Sequence, residues 1–173
     1  MKPNRFMLAL AALCFAAGGA SAQQTDGKSV APKTYKAYMV SDAHLDTQWN
    51  WDLTHTIREY IPRILFQNLW MLERYPDYKF NFEGGIIYRW MKEYYSLHYA
   101  RLQKYIDEGR WHISGASWNA NDPNMPSAES FIRNILQGQE LYKREFGVRS
   151  TDIFLPDCFG FGYTLPSLAA HCG

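Results

Sequence analysis

The sequence predicts an α/β fold on a parallel sheet, either an open doubly wound sheet or part of a barrel. Three observations carry that prediction. Short segments at Tyr38–Val40, Tyr78–Phe82, Trp111–Ser114 and Ile153–Leu155 have the length and apolar or alternating pattern of buried strands. Stretches of helical length and spacing follow them, so strand and helix alternate four times. Strands joined by helix-bearing crossovers run parallel, with right-handed connections.

Residues 1–22 stand apart from this pattern. Lys2 and Arg5 precede an apolar run from Phe6 to Ala17, and Ala20-Ser21-Ala22 supplies small residues for cleavage. The apolar core is too short for a membrane span, so a secretory signal peptide is expected, with export to the periplasm or outside the cell. Cys14 raises a lipoprotein alternative, but Ala11-Ala12-Leu13 puts no small residue next to it. Residues 23–34 are polar, with Gly27, Ser29 and Pro32, and read as a flexible leader. Residues 35–173 form the expected folded part, long enough for one core.

The whole chain has 18 Lys and Arg against 17 Asp and Glu. Without Lys2 and Arg5 the balance becomes 16 against 17, a net of −1. That near-neutral charge argues against nucleic acid or an anionic membrane surface as partner. Six Trp and twelve Tyr suit a carbohydrate site, and equally an aromatic core.

The first strand runs into Ser41-Asp42-Ala43-His44-Leu45-Asp46-Thr47-Gln48-Trp49-Asn50-Trp51-Asp52. Side chains at i and i+2 of a strand share a face, so His44 and Asp46 point the same way. An imidazole beside a carboxylate at a strand end is half of a divalent-metal site, and that donor set suits zinc. Trp49 and Trp51 follow, with flat apolar faces on which a sugar ring can stack. A lone His-x-Asp is equally a surface hydrogen-bonded pair.

A helix over about His55–Arg74 follows from Ile57, Ile61, Ile64, Leu65, Leu69 and Leu72, with Pro62 near its start and Tyr75-Pro76 at its end. The second strand ends in Glu83-Gly84-Gly85. Glu83 could serve as a general acid, or as a polar group bonding nearby backbone, the commoner case for such a residue. Ile86–Glu108 carries two helical stretches whose aromatics fit a core, and Gly109 stops them. After the third strand, the loop Gly115–Pro126 holds Trp118, Asn119, Asn121, Asp122 and Asn124. Those residues suit sugar hydroxyls beside a stacking indole, or simple turn chemistry. Ser127 caps the next helix, Glu129 favours its dipole, and Gly147 ends it.

The fourth strand leads into Pro156-Asp157-Cys158-Phe159-Gly160-Phe161-Gly162. A second apolar strand thus ends in a carboxylate, with two glycines permitting a tight turn. Metal-type side chains at two strand ends match the carboxyl-terminal rim of a parallel sheet or barrel. A last helix begins at Leu165–Ala170. Cys158 and Cys172 sit too far apart in this arrangement for a disulfide, and Cys158 is expected as a packed free thiol. A chain stopping just past its fourth strand leaves a bare parallel edge, so a fragment of a longer protein is expected.

These residues resemble a known family. The first stretch is similar to the H-x-H-x-D-x-x-W signature of the glycoside hydrolase family 38 α-mannosidases, and the second to that family's D-x-F-G nucleophile segment. Gly109-Arg110-Trp111 and Pro126-Ser127-Ala128-Glu129-Ser130 resemble runs of its bacterial members. The first His of the signature is Asp42 here, a position that ligates no metal in the family. The resemblance implies part of a seven-stranded (β/α) barrel and a zinc-dependent retaining mechanism on a mannose-containing glycan. His44, Asp46 and Asp157 would be metal ligands, and Asp157 also the catalytic nucleophile. Trp49, Trp51 and Trp118 are the expected substrate-binding residues. The family's general acid and last histidine ligand would lie beyond Gly173.

Two other readings compete. A metal-dependent carbohydrate deacetylase on a related barrel would also place Asp and His at strand ends, with the metal activating water. A sugar-binding module without catalysis would keep the aromatic and polar loop alone.

Overall fold

Parallel pairing of three short strands sets the frame. The computed structural model describes residues 34–173. The expected signal peptide, and all of the leader except Thr34, lie outside the described residues. Within the unit Tyr38–Gly173, β1 (Ser41–Ala43), β2 (Phe80–Phe82) and β3 (Trp111–Ile113) form one sheet in the order β1-β2-β3. Both pairings are parallel, with Ala43 opposite Phe82 and Phe82 opposite Ile113. Every residue of the central strand is buried, as expected where helices cover both faces.

The first strand starts later than the sequence suggests. Tyr38, Met39 and Val40, expected as a buried strand, are 89%, 92% and 60% exposed. The ladder begins only where Ser41 N–H donates to the Lys79 carbonyl at 3.2 Å. Those three residues precede the stretch that β2 can pair, and no described residue covers them.

Among the described residues the fourth strand does not form. Ile153–Leu155 lies beside β3 without a backbone ladder. Side chains make the bonds around this stretch. Gly115 N–H donates to Asp152 Oδ2 at 3.2 Å, and Ser114 Oγ donates to the same oxygen. Ser150 N–H is held by Gln139 Oε1 at 3.1 Å. The described part is therefore an open three-stranded parallel sheet with its helices, and not a closed seven-stranded barrel.

The helical run after β1 comprises α1 (Leu53–His55), a π-helical turn (Thr56–Tyr60) and α2 (Ile61–Arg74). Asp52 caps it, accepting from His55 N–H at 2.8 Å. Pro62 has no N–H for the carbonyl four residues back, and its ring crowds that carbonyl, so the preceding turn widens. Ile61, Leu65, Leu69 and Leu72 face the core. Tyr75 turns to extended geometry before Pro76.

The expected two helical stretches of 86–108 are three: α3 (Gly85–Tyr94), α4 (Ser96–Tyr99) and α5 (Leu102–Asp107). Their aromatics belong to the core, since Tyr88, Tyr99 and Tyr105 are all buried. α6 (Ala128–Phe146) is capped by Ser127, whose Oγ accepts from Ser130 N–H at 3.2 Å, and Gly147 closes it in the left-handed conformation. α6 comes so close to the chain at Ala116 and Ser117 that a Cβ on Gly138 would collide with their backbone. Only glycine allows that approach. α7 (Leu165–Cys172) closes the described chain. Among the described residues, no helix is long and apolar enough to cross a membrane.

Asp152 gives this frame a pH dependence. Burial raises its pKa, but bonds from Ser114, Gly115 N–H, Ser150 and His112 outweigh burial and hold the carboxyl below its ordinary 3.8. A depressed pKa stabilises the fold above the unfolded value, and that stabilisation is lost as pH falls through the folded one. Asp152→Asn should cost about 1 kcal/mol at neutral pH. The difference from wild type should shrink between about pH 5 and about pH 2 in urea unfolding curves. A difference unchanged across that range would contradict this.

Candidate active site at the strand ends

The parallel register decides which side chains meet. With Ala43 opposite Phe82, the next residues along the two strands are His44 and Glu83, and both emerge at the same sheet edge. His44 Nδ1 lies 3.0 Å from Glu83 Oε1. The other ring nitrogen, His44 Nε2, faces two carboxylates: Asp46 Oδ1 at 3.4 Å and Asp157 Oδ2 at 4.0 Å. Asp157 arrives from the far end of the chain, on the turn that follows Leu155.

A small cleft of about 120 Å³ opens over these groups, lined among others by Asn121, Asp122 and Cys158. Its far wall is the loop after β3, tied down by its own polar groups. Asn134 Nδ2 donates to the Asn119 carbonyl at 2.8 Å and to Asn121 Oδ1 at 2.7 Å. Asp122 Oδ1 accepts from Asn124 N–H at 2.8 Å, and Asn124 Nδ2 donates to the Gly160 carbonyl at 2.9 Å. The asparagines therefore serve largely as turn chemistry, and they brace the segment carrying Asp157. Gly160 has φ 122°, which only glycine adopts comfortably, whereas Gly162 needs no such freedom.

Electrostatically the site is a cation corner. The Glu83 hydrogen bond, and then the charges of Glu83, Asp46 and Asp157, hold the His44 pKa above its ordinary 6.5 against the opposing effect of burial. Cys158 is a free thiol whose pKa is pushed up, first by burial and then by Asp122, Glu83 and Asp157. Its Sγ donates to the Asn121 carbonyl at 3.5 Å. Cys172 is free and buried.

Of the predicted site residues, His44, Asp46 and Asp157 are brought together. The three tryptophans are not part of the cleft lining. Trp49 is 72% exposed beside Trp51. The Trp51 indole donates to Thr56 Oγ1 at 2.8 Å and packs edge-on against Tyr60. Trp118, expected at the substrate, packs instead against Gly85 and the main core, because the absent side chain at Gly85 leaves room for its ring. Glu83 is also corrected: its partner is the His44 ring and not neighbouring backbone.

A zinc ion fits the donor chemistry. With bonds of about 2.0–2.2 Å, tetrahedral ligand atoms lie roughly 3.3–3.6 Å apart. The 3.4 Å between His44 and Asp46 meets that spacing, and Asp157 at 4.0 Å stands slightly outside it. Accordingly, among the described residues no group of three or more His, Cys, Asp or Glu is closed around a metal position.

The profile of the glycosyl hydrolases family 38 N-terminal domain matches residues 34–173. The chain is 35% identical over 138 residues to alpha-mannosidase G of Dictyostelium discoideum, covering 80% of this chain and 13% of that protein. It is 31% identical over 159 residues to alpha-mannosidase 2C1 of Homo sapiens, covering 92% of this chain and 15% of that one. The fold is similar to the crystal structure of an alpha-mannosidase from Enterococcus faecalis V583. That match has a TM-score of 0.67 at 24% identity, over 77% of this chain and 15% of that chain. The chain thus spans only about a seventh of the length of these relatives. Three parallel strands with their crossover helices, a His-Asp-Asp convergence at the strand ends and the matching profile agree: the chain belongs to glycosyl hydrolase family 38, within the family's N-terminal domain.

Proposed function

We propose that this chain contributes the nucleophile and metal-gripping wall of a zinc-dependent retaining α-mannosidase acting on terminal mannosyl residues of a glycan. One observation carries the reading. His44 Nε2 faces the carboxylates of both Asp46 and Asp157, although Asp157 is more than a hundred residues away in sequence. His44, Asp46 and Asp157 would hold the ion. When bound, zinc supplies a positive charge that keeps Asp157 ionised and grips sugar hydroxyls.

Part of the remaining work falls to the chain's own residues. Asp157 attacks the anomeric carbon as the glycosidic bond breaks and the leaving oxygen takes a proton from a general acid outside residues 34–173; water, deprotonated by that same group, then hydrolyses the glycosyl ester with net retention. The Asn124 bond to the Gly160 carbonyl holds the turn bearing Asp157. The cleft between Asp122 and Asp157 gives the sugar a polar wall.

Zinc titration of the metal-free chain by calorimetry tests this. One ion per chain should bind, and His44→Ala should weaken it at least about 10-fold. Zinc binding that is indifferent to His44 would refute the reading.

A further inference from the structure

We infer that Glu83 is a positioning residue: it takes the proton-bearing Nδ1 of His44 and thereby turns the Nε2 lone pair toward Asp46 and Asp157. The geometry is direct. Glu83 follows β2 as His44 follows β1, and the Ala43–Phe82 register sets the two side by side. Its side chain is only 4% exposed, and Oε1 lies 3.0 Å from His44 Nδ1.

The second oxygen makes the assignment specific. Among the described residues, Glu83 Oε2 is buried without a hydrogen-bond partner. A carboxylate placed to hold the fold together would have both oxygens bonded, since an unpaired buried oxygen is unfavourable. Among the described residues Glu83 has His44 alone. It is packed tightly in that position: a Cβ on Gly115 would come within 3.1 Å of Glu83 Cβ and 3.2 Å of Oε2. Gly115 itself has φ 82°, so the backbone there is committed to leaving this space.

An ionised carboxylate only accepts hydrogen bonds. Glu83 therefore selects the tautomer of neutral His44 that carries its proton on Nδ1, and it fixes the ring plane. An imidazole left to itself can flip or carry the proton on the other nitrogen, which would close Nε2 to an incoming cation. Glu83 faces the ring nitrogen opposite the one that faces Asp46 and Asp157, and it acts through His44.

The test uses the full chain, free of metal, with ¹⁵N-labelled histidine, in alkaline buffer where the ring is neutral. Long-range ¹H–¹⁵N spectra should show the His44 proton on Nδ1. Glu83→Leu fills the space without an acceptor and should move the proton to Nε2. Glu83→Gln can offer its amide oxygen to the same N–H and should keep it on Nδ1. Thermal melting establishes that each variant is folded. Zinc affinity, measured by chelator competition, should fall about 10- to 100-fold in Glu83→Leu and markedly less in Glu83→Gln. That affinity arm rests on the proposed reading of His44 as a ligand, whereas the tautomer arm does not. A wild-type proton on Nε2, or a folded Glu83→Leu protein with tautomer and zinc affinity unchanged, overturns the inference. A tautomer that follows Glu83 in a chain that binds no zinc supports the positioning role and refutes the metal reading alone.

Discussion

Asp157→Asn is expected to abolish turnover in the active enzyme, by about 10⁴-fold or more, equivalent to about 5 kcal/mol of transition-state stabilisation. The amide keeps the shape of the carboxylate and loses the attacking charge. It also loses metal affinity, because a neutral oxygen is a poorer ligand. The position invites both effects, since Asp157 is half exposed to the cleft while its Oδ2 lies 4.0 Å from His44 Nε2. Saturating zinc separates them: a ligand defect is repaired by excess ion, and a missing nucleophile is not. A 2-fluoro mannosyl reagent should label the wild type at Asp157 alone. Labelling at another residue, or an Asn variant rescued by zinc, would remove the nucleophile assignment.

Trp111→Ala should be the most destabilising single truncation in the sheet, at about 3–5 kcal/mol. The side chain is 1% exposed and meets Phe80 edge-on with ring centroids 4.8 Å apart. Its Nε1–H donates to Tyr88 Oη at 2.8 Å, and Tyr88 in turn donates to the Phe82 carbonyl at 3.1 Å. Truncation opens a cavity at the centre of β2 and β3 and removes a partner of a buried hydroxyl. Against a typical total of about 5–15 kcal/mol, the variant should melt far lower or fail to fold. Trp111→Phe keeps most of the apolar volume and should lose about 1–2 kcal/mol, chiefly the donor to Tyr88. Chemical denaturation of both variants checks the order, and equal losses would show that the hydrogen bond contributes more than the packing.

Residue type alone marked the caps at Ser127 and Gly147. His44 and Asp46 meet, but not by strand spacing, since β1 ends at Ala43 and both residues lie beyond it; Asp157 stands, as expected, at the end of an apolar segment. Glu83 was half legible. Its place at a strand end was visible, but its partner depends on the register between β1 and β2, which no single segment encodes. The same limit hid Trp118, whose surroundings are set by Gly85, distant in sequence. Tyr38–Val40 failed for a different reason. An apolar triplet signals burial only if something lies opposite, and here pairing begins one residue later. The fourth strand failed in another way: the bonds that tie the approach to Ile153–Leu155 to the chain after β3 come from the Asp152 side chain and not from a backbone ladder, a distinction that periodicity does not detect.

The parallel order β1-β2-β3 has a consequence for how fast the site can assemble. Ser41 pairs with Phe80 and Phe80 with Trp111, so each rung of the sheet closes a loop of thirty residues or more. Loop-closure entropy opposes every such step before any contact rewards it, and folding slows as mean sequence separation grows. The helices α2 and α6 can form from local contacts within the first microseconds or so. The His44–Glu83 hydrogen bond spans 39 residues and must wait for the first rung. The approach of Asp157 to His44 must also wait for the loop that Asn134 and Asn124 brace. The corner of His44, Glu83 and Asp157 is thus among the last parts of the chain to assemble, and the apolar faces of β2 and β3 stay open to wrong partners until it does.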